Sequence, residues 1–145
     1  MKKIGEYTCR GQIASGEEVK IILFDGNFDT AYRIVDFAVA PQNPNSSNNA
    51  YGKLASVSGL SVTDWNWGDN REWAWAGTYT LADAIGGHGE WIDPDNMIVE
   101  DLYFSGVDSG DDRVNYMVKL EKYNVGEWRG ALAMVRNSAQ GEPST

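Results

Sequence analysis

The run RVNYMVKLEKY, residues 113–123, alternates more strictly than any other part of the chain: Val114, Tyr116, Val118 and Leu120 are interleaved with Arg113, Asn115, Met117, Lys119 and Glu121. Successive side chains of a strand point to opposite faces, so this spacing demands a strand with one buried face and one mostly wet face. Such a strand needs neighbours in a sheet and a second layer to cover its apolar side. MIVEDLYFSGV, residues 97–107, supplies another apolar run through Val99, Leu102 and Phe104, and DSGDD, residues 108–112, reads as a tight hairpin turn between the two.

Upstream, GEYTCRGQIA (5–14), VKIILFDG (19–26), YRIVDFAVAP (32–41) and KLASVSG (53–59) read as further strands. In the third of these Ile34, Phe37 and Val39 only partly alternate, and Pro41 ends it. SGEE (15–18) and the Asn/Ser-rich QNPNSSNNAYG (42–52) are turn and loop chemistry, the latter expected to be exposed. LADAIGGHGEW (81–91) is expected to form a loop or a single helical turn, because Gly86, Gly87 and Gly89 interrupt any longer element.

The end of the chain changes period. Asn124 and Glu127 have capping spacing, and Trp128, Ala131, Leu132 and Val135 fall at i, i+3, i+4 and i+7, one apolar stripe of a helix. Arg136 suits the C-terminal end of its dipole, while Gly130 weakens it. The expected fold is therefore mainly β: an antiparallel β-sandwich, of which a jelly roll is one form, with one C-terminal α-helix at about 125–137. With 145 residues, a single domain over 1–138 and a flexible tail over 139–145 account for the chain.

The segment DWNWGDNREWAWAG, residues 64–77, holds four of the six tryptophans. A hairpin closed by a five-residue loop at 68–72 would put Trp65, Trp67, Trp73 and Trp75 on one face. A two-residue turn at Asp69-Asn70 would put the two pairs on opposite faces. The first arrangement makes a slab of indole for a core or a subunit interface; the second exposes one pair as a stacking platform. Packing in a core or interface is the leading expectation. With Trp128, these four are the candidate binding or interface residues, and Asn66, Asp69 and Asn70 are the expected partners for buried indole N–H groups.

Charge narrows the partners. The net charge is -9, which disfavours nucleic acid as a ligand. Residues 72–112 contain ten acidic side chains and no lysine or arginine, so that segment holds nearly all the excess. A solvated acidic face is the ordinary reading, and a bound cation or a basic partner the sharper one. Asp108, Asp111 and Asp112 crowd one turn and are the weak candidates for a structural Ca2+, although hairpin chemistry explains them equally well. DGNFDT, residues 25–30, begins like a calcium loop but has Thr30 and Asp36 where glycine and glutamate belong.

Nothing in the sequence assembles a catalytic set, and the chain is expected not to be an enzyme and to need no cofactor. His88 is the only histidine and Cys9 the only cysteine, which leaves no disulfide within the chain and no nucleophile–base motif. Asp93 with Asp95, or Glu100 with Asp101, could be offered as acid and base, but nothing singles them out. No apolar run is long enough to span a membrane and the start does not read as a secretory leader, so folding in a reducing cytoplasm is expected.

At IDPDNMIVEDLYF (92–104) and NYMVKLEKYNVGEWRGALAMVRNSAQ (115–140) the chain resembles small virion structural proteins of marine tailed bacteriophages. The resemblance implies a non-enzymatic, β-rich particle component made in the host cytoplasm, most naturally a capsid cement or decoration protein. Its partners would be other virion proteins of capsid or tail and further copies of itself. It implies no site residues. The competing expectation is a tail-associated, receptor- or carbohydrate-binding β-sandwich module that holds a glycan on exposed tryptophans.

Overall fold

In the computed structural model, residues 2–24, 26, 29–82 and 84–126 are described. They form eight strands: β1 (Lys2–Ile13), β2 (Glu18–Ile21), β3 (Thr30–Pro41), β4 (Asn49–Ala55), β5 (Glu72–Leu81), β6 (Ala84–Ile92), β7 (Leu102–Asp108) and β8 (Val114–Asn124). All pairings are antiparallel, in one sheet ordered β1-β8-β3 and another ordered β2-β7-β4-β5-β6. The sheets face each other in a β-sandwich-like arrangement, with one shared core drawn from both.

The alternating segment is β8, the central strand of the smaller sheet. Val114, Val118 and Leu120 are fully buried on one face, while Met117 and Lys119 on the other are exposed. From the opposite sheet Phe104 meets Phe37 edge-on at 5.9 Å and lies 4.4 Å from the Tyr116 ring, so aromatic contacts join the layers at mid-core. A register shift between Ile34 and Asp36 explains the imperfect alternation of β3: the extra residue lets Ile34 and Phe37 both reach the core.

Four expectations are corrected. DSGDD is not a hairpin turn, because β7 and β8 belong to different sheets; the segment carries the chain from one layer to the other, with Asp111 at φ 58°. Residues 84–92 are a strand, not a loop or helical turn: the glycines are tolerated because β5 supplies the pairing along its whole length. The strand expected over 19–26 is only the four residues of β2. The Asn/Ser loop is shorter and more anchored than expected. Asn48 is buried, β4 begins at Asn49, and Thr80 of β5 donates its hydroxyl proton to Ser46 O and accepts from Asn48 N.

The C-terminal helix falls mostly outside the described residues, as does Trp128. Its expected start is not helical: Val125 is buried beside Ala31 and Val99, its N–H donates to Asp29 O at 2.8 Å, and Gly126 has φ 80°. Among the described residues there is no helix, and hence none long and apolar enough to cross a membrane.

The free edge of β3 is closed by side chains of the other layer. Ile34 N donates to Asn96 Oδ1 at 2.6 Å, and Asn96 Nδ2 returns a bond to Ile34 O. Phe37 N donates to Glu90 Oε2 at 2.9 Å, and Thr78 Oγ1 donates to Val39 O at 2.7 Å. Tyr32 and Ile98 exchange a backbone pair. An open strand edge is a template for unwanted pairing, and here the side chains take the place of a ninth strand. Asn96→Ala should lower stability by about 2–3 kcal/mol, because it orphans a buried N–H and C=O together; urea denaturation measures it, and an unchanged midpoint would contradict the assignment.

Glu90 also carries a pH signature. Partial desolvation of its carboxyl pushes its pKa up, and Asp36, hydrogen-bonded to it, adds to the rise. A carboxyl that holds its proton longer in the folded state contributes stability fully below the unfolded value of about 4.3, and loses it as pH rises through the raised value. Glu90→Gln should therefore gain on the parent in urea midpoint as pH climbs from about 4 to about 7. A gap independent of pH would refute this.

Candidate functional site

Strand register decides which side chains share the outer face of the five-stranded sheet. Lys53 and Tyr51 of β4 lie opposite Trp75 and Gly77 of β5, which in turn pair with Trp91 and Gly89 of β6; the next pair is Tyr79 with Gly87. A register shift between Leu54 and Ala55 marks a bulge at Trp73, which lets Trp73 join Ala74 in the core while Trp75 turns outward. The two members of this pair thus part company, although they are two residues apart. Neither sequence-based hairpin forms: Trp65 and Trp67 lie in the irregular 56–71 connection, which folds back over the outer face.

What holds that connection is a buried ion pair. Lys53 Nζ lies 2.9 Å from Glu72 Oε2, with side-chain exposures of 1% and 0%. Lys53 also donates to Asp64 O at 2.7 Å. Glu72 accepts from Asn66 N (2.8 Å), Asn66 Nδ2 (3.2 Å) and Trp75 Nε1 (3.0 Å). Asn66 stands between Trp65 and Trp67, so anchoring its amide places both indoles. Arg71 and Asp69 clamp the other end at 2.7 Å, and that contact holds the Asp69 carboxyl below its ordinary pKa. Asn66 and Asp69 thus serve the loop. The Trp75 N–H goes to Glu72 instead, and those of Trp65 and Trp73 find no partner among the described residues.

The result is a continuous row of five rings, Tyr51–Trp65–Trp91–Trp67–Trp75, with successive centroids 5.7–6.1 Å apart. Trp75 is buried beneath it, whereas Trp67 and Trp91 are 61% and 49% exposed. Beside the row runs an open groove of about 430 Å³ lined by Tyr51, Trp65, Tyr79, Trp91 and, as floor, Gly77, Gly87 and Gly89. The glycines are required by the rings. A Cβ on Gly86 or Gly87 would stand 2.0 or 2.8 Å from the Tyr79 ring, and one on Gly89 would stand 3.1 Å from that of Trp91. Both rings lean on bare backbone of β6.

Among the described residues, no Lys, Arg, Asp or Glu lines the groove. The Asn49 backbone N–H is spent on Ser109 Oγ, but the Asn49 side-chain amide and the Tyr51 and Tyr79 hydroxyls make no hydrogen bond among the described residues. The site can therefore offer flat apolar faces with a few unused polar groups, and His88 is among the residues that line it.

Of the five sequence candidates, the structure brings Trp65 and Trp67 to this surface, puts Trp75 under it and Trp73 in the core; Trp128 lies outside the described residues. Sequence reasoning missed Trp91, Tyr51 and Tyr79. The available signal was GHGEW: on a strand, Gly87, Gly89 and Trp91 share one face. The weak metal candidates do not converge. Asp108 is buried with Oδ2 accepting from Asp112 N, Asp111 is exposed, and no group of three ligating side chains occurs among the described residues. In the partial calcium-loop match, Asp25 and Asn27 lie outside the described residues. The chain matches no known protein-family model and no curated protein sequence.

Lys53→Met should destabilise the fold by about 3–5 kcal/mol, because Glu72 would stay buried without its counter-charge. The double variant Lys53→Met/Glu72→Leu should recover most of that loss in urea denaturation and yet lose the fixed environment of Trp65 and Trp67, seen in near-ultraviolet circular dichroism. A single variant as stable as the parent would show that the pair does not matter.

Proposed function

We propose that this chain is a non-catalytic binding module that takes carbohydrate in the groove between Trp91 and Tyr79. One observation carries the reading: an uncharged trough with aromatic walls and a glycine floor, rimmed by unspent polar groups. A sugar ring presents C–H faces and hydroxyl edges. The faces stack on indole and phenol, and the edges find Asn49, Tyr51 and Tyr79. The Lys53–Glu72 anchor supports this by holding the Trp65 wall in place before any ligand arrives, which lowers the ordering cost of binding.

We read the strand order as that of a jelly roll in which β6 stays with its partner β5 and reaches β3 only through side chains. Jelly rolls occur among lectins and among capsid proteins, so architecture alone favours neither. The phage-particle expectation rests on the sequence resemblance and is compatible with a receptor-binding role on a virion. A second reading, the capsid cement or decoration protein, draws on the exposed Leu81 and Ile85 flanking the β5–β6 turn, at 54% and 69%, which a neighbouring subunit could cover. Quantitative mass spectrometry of purified particles separates these: lattice-scale copy numbers support cement, and a few copies support a tail or receptor-binding component.

Trp91 and Tyr79 are half exposed, so Trp91→Ala and Tyr79→Ala should leave urea stability within about 1–2 kcal/mol of the parent. Trp91→Ala should abolish, and Tyr79→Ala should weaken, retardation in polysaccharide-containing native gels that retard the parent. No retardation of the parent by any polysaccharide, or retardation that survives both substitutions, would sink the reading.

A further inference from the structure

We infer that the groove holds the interior of a linear, uncharged glycan chain laid along the strands, with one stacking position at Trp91 and a second at Tyr79. The inference rests on the carbohydrate reading above and names the ligand class for the same site.

The spacing of the two rings is the first argument. Trp91 pairs with Trp75, and Tyr79 lies four residues further along β5. At about 3.3 Å per residue their backbone positions are about 13 Å apart along the sheet, and the two rings rest on different parts of β6, that of Trp91 over Gly89 and that of Tyr79 over Gly86 and Gly87. Between the two backbone positions the outer face carries Gly77 and Gly89, the latter under the Trp91 ring. Each ring is 49% exposed. The trough is open, with no pocket to enclose a terminal sugar.

Charge is the second argument. A sulfated or uronate chain would need Lys or Arg beside its anions. Among the described residues none lines the groove, so an anionic chain would find no counter-charge there.

Isothermal titration calorimetry with gluco-, xylo- and manno-oligosaccharides from mono- to hexasaccharide, beside alginate and a sulfated galactan at low and high salt, tests this. For at least one neutral series, affinity should rise about tenfold or more from disaccharide to a plateau, corresponding to about 1.4 kcal/mol or more. Tyr79→Ala should flatten that rise while leaving the disaccharide bound. A monosaccharide bound as tightly as the longest chain would overturn the chain inference and leave carbohydrate binding standing. Tight, salt-sensitive binding of alginate or the sulfated galactan would overturn the uncharged ligand. Failure of every sugar to bind the folded parent would overturn both this inference and the carbohydrate reading.

Discussion

The buried contact between Lys53 and Glu72 organises the surface on which the proposed function depends. Moving a full charge of each sign out of water is costly, and a 2.9 Å contact offsets the cost only if the remaining donors and acceptors are also met. That requirement brings in the Asp64 carbonyl, both nitrogens of Asn66 and the Trp75 indole. Three of these belong to, or reach into, a connection that has no regular structure of its own. The ion pair thereby converts a long β4–β5 loop into a rigid wall bearing Trp65 and Trp67.

A different economy governs the other side of the molecule. The larger sheet has five strands and the smaller three, and β3 ends the smaller one with its hydrogen-bonding edge directed at the larger. Asn96, Glu90 and Thr78 answer that edge one group at a time. Because Thr78 and Glu90 sit on β5 and β6, the strands that present the groove outward also seal the sandwich inward. The glycines between them keep this ribbon thin enough for both tasks, since Gly77 and Gly89 line the outer groove as well as a cavity on the β3 side. The outer groove and the inner closure thus share the same two strands.

Legibility varied with how local each determinant was. Strand β8 was readable because a central strand covered on one face imprints its period directly on the sequence. Strand β6 was not, since three glycines erase any apolar alternation and only its pairing with β5 reveals it. The tryptophans show the same limit. Their spacing promised either one slab or two pairs on opposite faces, but a bulge at Trp73 sends one indole to the core and its neighbour outward. A bulge is a misfit between two strands, and a single strand's sequence does not record it. Likewise DSGDD looked like a hairpin turn because turn chemistry states that the chain reverses, not which sheet it rejoins.

By itself the sequence determined that this chain is mainly β, turn-rich, acidic in its middle and heavily aromatic, because composition and nearest-neighbour periodicity are local properties. It also marked the segment around Trp65 and Trp67 as notable. Only the tertiary structure decided that Tyr51, Tyr79 and Trp91 would join them, that Trp73 would leave them, and that glycines of β6 would form the floor. Those outcomes follow from register across β4, β5 and β6 and from one buried ion pair whose two residues are nineteen positions apart. Pairings of that range are fixed by the packing of the whole sandwich, where a shift of one residue would carry every ring to the opposite face.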